Sequence, residues 1–463
     1  MNKFFLFCIV LCACVCQSLN AVPVTPEEAR QVAGRFFNEK GRKGDCTVRE
    51  HKAVVQVRAG GMENPPFYIC TPSDGKGFVV VSGDDALPQV VGYSLEAPAG
   101  NGLPEPLAAC LASYSSYVEA VRQGRAQPLV RSSRKGDSVP IAPLLRTQWG
   151  QGAPYNDLCP ADWHGERYPA GCVAAVAAQI MNYYRWPLSG TGTVSVGGEE
   201  IDLAMHAYDW DNMRDSYLPS DGTGGGEVGG GVTEAQRTAV ATLVRDVGYA
   251  LDMRYAKDGS MARHFDIVWA LFKHFGYAPT LKYHHRKLYT RTTWYGIIRD
   301  ELMAGRPVAY SGASGFGEED GHSFICDGMD ADGYLHINWG WDGAYDGYFD
   351  MDVLQPEGEG AGHDVGGYVE RARMVTGFRP WSADDKGEPQ RVLMADGVEF
   401  SVLRGNSLRA EVGHVMNCTD AVRYLNPYFI WTDASGNVVW RDKAGFQSVG
   451  GQQRPMPGQI VDG

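Results

Sequence analysis

Cys172 stands directly before an apolar, alanine-rich run, Val173-Ala174-Ala175-Val176-Ala177-Ala178-Gln179-Ile180-Met181. Alanine is the best intrinsic helix former. Pro169 and Gly171 interrupt the pattern upstream, and Pro187 ends it downstream. This predicts a helix with Cys172 at its N-terminus. The helix dipole there, equivalent to about half a positive charge, favours thiolate over thiol. A thiolate is the nucleophilic form, so the chemistry on offer is attack on a carbonyl. The competing reading is a structural cysteine packed as a small hydrophobe.

A cysteine nucleophile needs a base, a group that orients the base, and donors for the developing oxyanion. His322 opens an apolar strand after Gly321, 150 residues beyond Cys172, and Asn338 follows 16 residues later on what should be the next strand. A hairpin joining those strands could set the Asn338 amide against the imidazole. Cysteine first, with histidine and asparagine about 130–150 residues later, is the chain order of papain-like proteases. Among the other histidines, His336 is expected to be packed or hydrogen-bonded within its strand, and His284 and His285 to lie at the surface. No H-E-x-x-H zinc motif and no G-x-S-x-G elbow is present.

These residues need elements to carry them. Thr25-Pro26-Glu27-Glu28 opens a helix with a capping threonine, an early proline and acids against the dipole. Residues 54–57, 67–69 and 77–85 read as strands, and Leu107–Val121 as a second helix. Thr147–Asn156 is a turn-rich lead into the Cys172 helix. Gly224, Gly226 and Gly229 match G-x-G-x-x-G, but no strand precedes them, so a loop is expected rather than a dinucleotide site. Further helices are predicted from Thr233 to Val247, Met261 to Phe275 and Trp294 to Ala304. Strands follow at 308–310, 322–326 and 334–339, and 340–349 reads as a further turn and strand. Asp330-Ala331-Asp332-Gly333 lacks EF-hand spacing and reads as a hairpin turn. Past Trp381 the pattern turns β-rich.

A chain of 463 residues with 44% hydrophobic and 21% charged residues fits a soluble protein of several domains. The net charge of −13 argues against nucleic acid and anionic membrane surfaces as partners. Lys3 and the apolar run to Cys16 read as a secretory signal peptide cleaved after Ala21, with lipoprotein anchoring at Cys14 as a subsidiary reading. No later segment reaches the roughly 18 apolar residues of a membrane span. Secretion or a cell-surface location is therefore expected. Beyond the leader seven scattered cysteines remain, an odd number with no C-x-x-C pair, so no zinc cluster is expected and at least one thiol stays free. The expected divisions are a 1–21 signal peptide, a 22–135 α+β domain, a 136–382 domain carrying Cys172 and His322, and a 383–463 β-rich segment. The polar stretch Arg131–Ser138 is the expected linker.

Gly171-Cys172-Val173-Ala174 with Ala178-Gln179-Ile180-Met181-Asn182-Tyr183-Tyr184 resembles the nucleophile helix of the streptopain family of secreted papain-like cysteine peptidases. So do Gly321-His322-Ser323-Phe324, Asp327-Gly328, His336-Ile337-Asn338-Trp339-Gly340-Trp341 and Asp346-Gly347-Tyr348-Phe349. Residues 77–94 resemble the family's inhibitory pro-segment, and the tail after about Trp381 lies outside the match. The resemblance implies an α+β papain-like fold, a helical half plus an antiparallel β half, with an N-terminal α+β pro-domain. It implies a Cys172–His322 dyad, an oxyanion role for Gln151, and a wall of Trp339 and Trp341 around the histidine, supported by Asn338. It further implies protein or peptide substrates, the chain's own pro-domain as intramolecular inhibitor, and no cofactor or metal. The rival reading is an inactive secreted adhesin or binding protein of the same fold.

Overall fold

The structure of the protein, a computed structural model, describes residues 22–42, 46–49, 64–100, 102–128, 138–218, 228–313, 321–351 and 372–389. Beyond these it describes strand backbones between 392 and 462. The signal peptide with Cys14, the strand expected at 54–57, the Arg131–Asp137 stretch and most of the glycine-rich loop lie outside the described residues.

Helix α1 (Pro26–Glu39) starts on a complete capping box, in which the Thr25 hydroxyl accepts from the Glu28 N–H while the Glu28 carboxylate accepts from the Thr25 N–H. Strands β1 (Cys46–Arg49), β2 (Phe67–Pro72), β3 (Phe78–Ser82) and β4 (Val90–Ser94) form a meander, and α2 (Glu105–Arg122) follows. Next come α3 (Cys172–Tyr184), the β5–β6 hairpin (Thr193–Val196, Glu199–Asp202), α4 (Glu234–Ala250) and α5 (Asp266–His274). The remaining elements of this part are β7 (Lys282–His285), α6 (Arg291–Met303), β8 (Val308–Ala313), β9 (Gly321–Met329), β10 (Leu335–Asn338), β11 (Gly347–Phe349) and β12 (Arg373–Thr376). In the C-terminal segment β13 (Val392–Val402) pairs with β14 (Leu408–Cys418), and β15 (Tyr428–Thr432) with β16 (Val438–Lys443).

The first meander and the catalytic strands form one antiparallel sheet of ten, ordered β1-β2-β3-β4-β11-β10-β9-β8-β12-β7. The joint is β4 against β11, with Tyr348 opposite Tyr93 and Phe349 opposite Gly92. Gly92 is required there, because a Cβ would meet the Phe349 ring at 2.2 Å. The strands expected at 67–69 and 77–85 are present, yet the sheet and core of the first unit continue into the second. Phe78, Leu111 and Tyr114 share a buried cluster with Phe324, Trp339 and Phe349. On the opposite side of the catalytic strands, α3, α4 and α5 bury a second cluster against Ala309, Ile325 and Val375. The helical and β halves expected from the sequence are thus both present.

Two local expectations are corrected. Helix α5 begins at Asp266, not Met261: the preceding residues fold back, Met261 bridging Arg254, and His264 lies in this non-helical stretch. His284 and His285 are buried, at 7% and 6% exposure, because they sit on β7, a strand the polar Lys-Tyr-His-His sequence conceals. His284 bonds the Tyr289 and Thr376 hydroxyls, and burial pushes its pKa down to about 4. The turn and strand expected over 340–349 are present, the strand at Gly347–Phe349. Asp330–Gly333 does turn β9 into β10, and its Asp330 side chain accepts from Tyr93 Oη (2.5 Å) and pairs with Lys40. No described helix is long and apolar enough to cross a membrane.

Candidate active site

Cys172 is the first residue of α3. Gly171 before it has φ +88°, a conformation costly for other residues, and a Cβ there would come within 2.9 Å of Met253 Sδ and the Ser260 carbonyl. Only glycine delivers the chain into the helix at this angle. The Cys172 N–H lies in the first turn, where helical N–H groups have no intrahelical acceptor.

Strand β9 runs beside α3. Successive strand residues alternate faces. Ser323 shares the α3 side with Ile325, and its N–H points at Cys172 Sγ (3.4 Å). His322 shares the other side with Phe324, and its Nδ1 lies 3.7 Å from Glu105 Oε2, at the start of α2. Among the described residues no hydrogen bond joins Cys172 Sγ to the His322 ring. The thiolate expected from the helix dipole alone is not the favoured form here. Burial pushes the Cys172 thiol up and Glu105 adds to this, against the downward pull of the Ser323 N–H. Burial likewise pulls His322 below its ordinary value, partly offset by Glu105. With the first domain in place, both groups favour their neutral forms.

Gln151 is half-buried, and its carbonyl accepts from the Ala170 N–H (2.9 Å), two residues before Cys172. Asn338 is 3% exposed, and its amide donates to the Thr147 carbonyl (2.7 Å) and to Gln179 Oε1 (3.2 Å). The same Gln179 oxygen accepts from the Trp149 N–H (3.2 Å), and the Gly340 N–H donates to Asn338 Oδ1 (3.0 Å). The contact expected between Asn338 and the imidazole is therefore replaced by a knot tying β10, α3 and the 147–151 strand-like lead together. Trp339 is fully buried, packed on Phe324 and Phe349, with its indole N–H on the Tyr345 carbonyl. Trp341 is half-buried in the following turn.

Gln179, Glu105 and Ser323 escaped the sequence reading. Gln179 left a signal, as the one polar residue in the apolar run, two helical turns past Cys172 on the same face. Among the described residues no His, Cys, Asp and Glu cluster is placed to hold a metal ion. Cys70, Cys110, Cys159 and Cys326 are buried, and Cys172 is half-buried.

The peptidase C10 family model matches residues 149–349, and the Spi protease inhibitor model matches residues 21–118. The thiol protease/hemagglutinin PrtT of Porphyromonas gingivalis is 31% identical over 84% of this chain, which spans only 45% of that protein. Streptopain of Streptococcus pyogenes is 29% identical over 76% of this chain and 91% of its own length. A fragment of prointerpain A of Prevotella intermedia has a similar fold, with TM-score 0.57 and 29% identity, covering 71% of this chain and 98% of the fragment. Residues 149–349 match the peptidase C10 family, and the chain is a streptopain-like, papain-type cysteine peptidase.

Proposed function

We propose that this chain is a secreted endopeptidase made as a zymogen, working through a Cys172–His322 dyad. His322 takes the thiol proton, and Cys172 Sγ attacks the scissile carbonyl. The Cys172 N–H and the Gln151 amide hold the oxyanion. The imidazolium then protonates the leaving amine, and a water deprotonated by His322 hydrolyses the thioester. Asn338 and Gln179 act at one remove, fixing the lead that carries Gln151. Trp339 and Trp341 wall the strand end.

The observation that carries the reading is the meeting of Cys172 and β9: the residue after His322 donates its N–H to the nucleophile at the first turn of α3. Latency follows from Glu105. Residues 22–135 act as the inhibitory pro-domain, whose Glu105 carboxylate engages His322. Cleavage between Arg131 and Val139 (Lys135–Gly136 is one candidate bond) starts activation. The test is hydrolysis of a denatured protein substrate by wild type, Cys172→Ala and His322→Ala. Both variants should be inactive with unchanged unfolding midpoints, and activity surviving in either would refute the dyad.

A further inference from the structure

His264 lies behind the nucleophile and takes no part in the mechanism above. It is 5% exposed, in the segment before α5, with Nδ1 3.0 Å from Ser323 Oγ and Nε2 3.2 Å from the Ala309 carbonyl. Ser323 is 2% exposed and heads a row of buried polar residues in register across four strands: Ser323, Ser311, Arg373 and His285. Such a row in an otherwise apolar layer costs stability unless it is hydrogen-bonded or has a function.

The tautomer follows from the partners. A carbonyl can only accept, so Nε2 carries the proton. Burial and the nearby Arg373 guanidinium keep the ring neutral, with its pKa lowered to about 3. Nδ1 is then an acceptor, and the Ser323 hydroxyl must donate to it. That hydroxyl has one proton, and it belongs to the residue that already touches the thiol through its backbone, the Ser323 N–H lying 3.4 Å from Cys172 Sγ. While His264 holds the proton, a thiolate at Cys172 receives the Ser323 N–H but not the hydroxyl.

We propose that His264 is a positioning residue for the nucleophile, acting on Cys172 through the Ser323 hydroxyl. It competes with Sγ for one proton, and so sets how readily the thiol ionises. This rests on Cys172 being the nucleophile. The other ionisable groups near this cluster are Glu105 on α2, which acts on Cys172, Arg373 on β12, which acts on His264, His285 opposite Arg373 on β7, and His322 next to Ser323 on β9, and all four stay unchanged in the variants below.

The test is the pH dependence of iodoacetamide modification of Cys172 in the full chain, read on its own peptide by mass spectrometry. His264→Phe frees the hydroxyl to turn to the thiolate, and should lower the midpoint by about half to one pH unit, the scale of one hydrogen bond. Ser323→Ala removes the hydroxyl and should raise it. In the double variant the His264 effect should vanish, leaving the Ser323→Ala midpoint. An unchanged midpoint in His264→Phe, or a His264 shift that persists without the hydroxyl, overturns the proposal. If His264→Phe does not fold, Ser323→Ala decides alone: an unchanged or lowered midpoint overturns it. Alkylation can be followed in protein that cleaves nothing, so failure here is distinct from failure of the dyad.

Discussion

The Nδ1 atom of His322 lies 3.7 Å from the Glu105 carboxylate, and the two residues belong to parts of the chain separated by the expected processing site. The carboxylate raises both partners of the proposed dyad: it favours the thiol at Cys172 and the charged ring at His322. Glu105→Gln should lower the Cys172 and His322 pKa values together and loosen the hold on His322. The full-length chain should then shorten severalfold faster than wild type, as read by gel densitometry over time. An equal or longer half-life would show that Glu105 is not the latch.

Cutting the linker should not by itself free the first domain. The β4–β11 pairing, the Lys40 contacts with Asp330 and Asp332, and the Tyr93–Asp330 hydrogen bond all survive a break between 131 and 139. The shared core around Phe324, Trp339 and Phe349 survives as well. Nicked protein should therefore elute from a sizing column at the volume of the intact chain. Mature enzyme should begin near Val139 once the pro-domain is degraded. Immediate separation of the two pieces on nicking would contradict the continuous sheet.

Gln151→Ala removes one oxyanion donor, and the expected loss is about 10²–10³ in kcat with KM little changed. Gln179→Leu acts differently. It strips partners from Asn338 and the Trp149 N–H, leaving buried polar groups unpaired at about 1–3 kcal/mol. Urea denaturation should show that loss in Gln179→Leu and none in Gln151→Ala. Equal destabilisation of both would assign Gln151 a structural role.

Stability should fall as pH rises through neutrality. Asp346 is buried beside Trp339, and burial pushes its pKa up to about 7 against the pull of the Trp339 N–H and His336. A carboxyl raised in the folded state contributes stability that is full below its unfolded value, near 4, and lost as pH climbs through about 7. His336 adds the same sign: burial opposes its charge, but Asp327 at 2.6 Å wins and raises it. Thermal midpoints of the full chain should drop between pH 5 and pH 8, and Asp346→Asn should flatten the drop. The same slope in that variant would remove Asp346 from the account.

What was legible in the sequence was local. Thr25 and Thr233 each cap a helix at the start that the sequence marks. The Ala-rich run gave α3, and the Asp330–Gly333 turn gave the β9–β10 hairpin. Hidden were relationships between distant residues. Nothing in Val90–Ser94 or Gly347–Phe349 announces a pairing across more than 250 positions. Asn338 was assigned to the imidazole because strand order brings them close; the pleat turns its amide to Gln179 instead. The 261–275 stretch is apolar enough for a long helix, but tertiary contacts of His264 and Met261 hold its first residues out of one.

The central claim is that Cys172 is the nucleophile and His322 its base. A peptidyl epoxide, which alkylates an activated thiol in a peptidase cleft, tests this most directly when the labelled residue is mapped by mass spectrometry in processed protein. The account predicts one adduct, on Cys172, absent from Cys172→Ala and lost when His322 is replaced by alanine in the processed form. Peptide hydrolysis persisting in Cys172→Ala, or stoichiometric labelling of another residue with loss of activity, would contradict it.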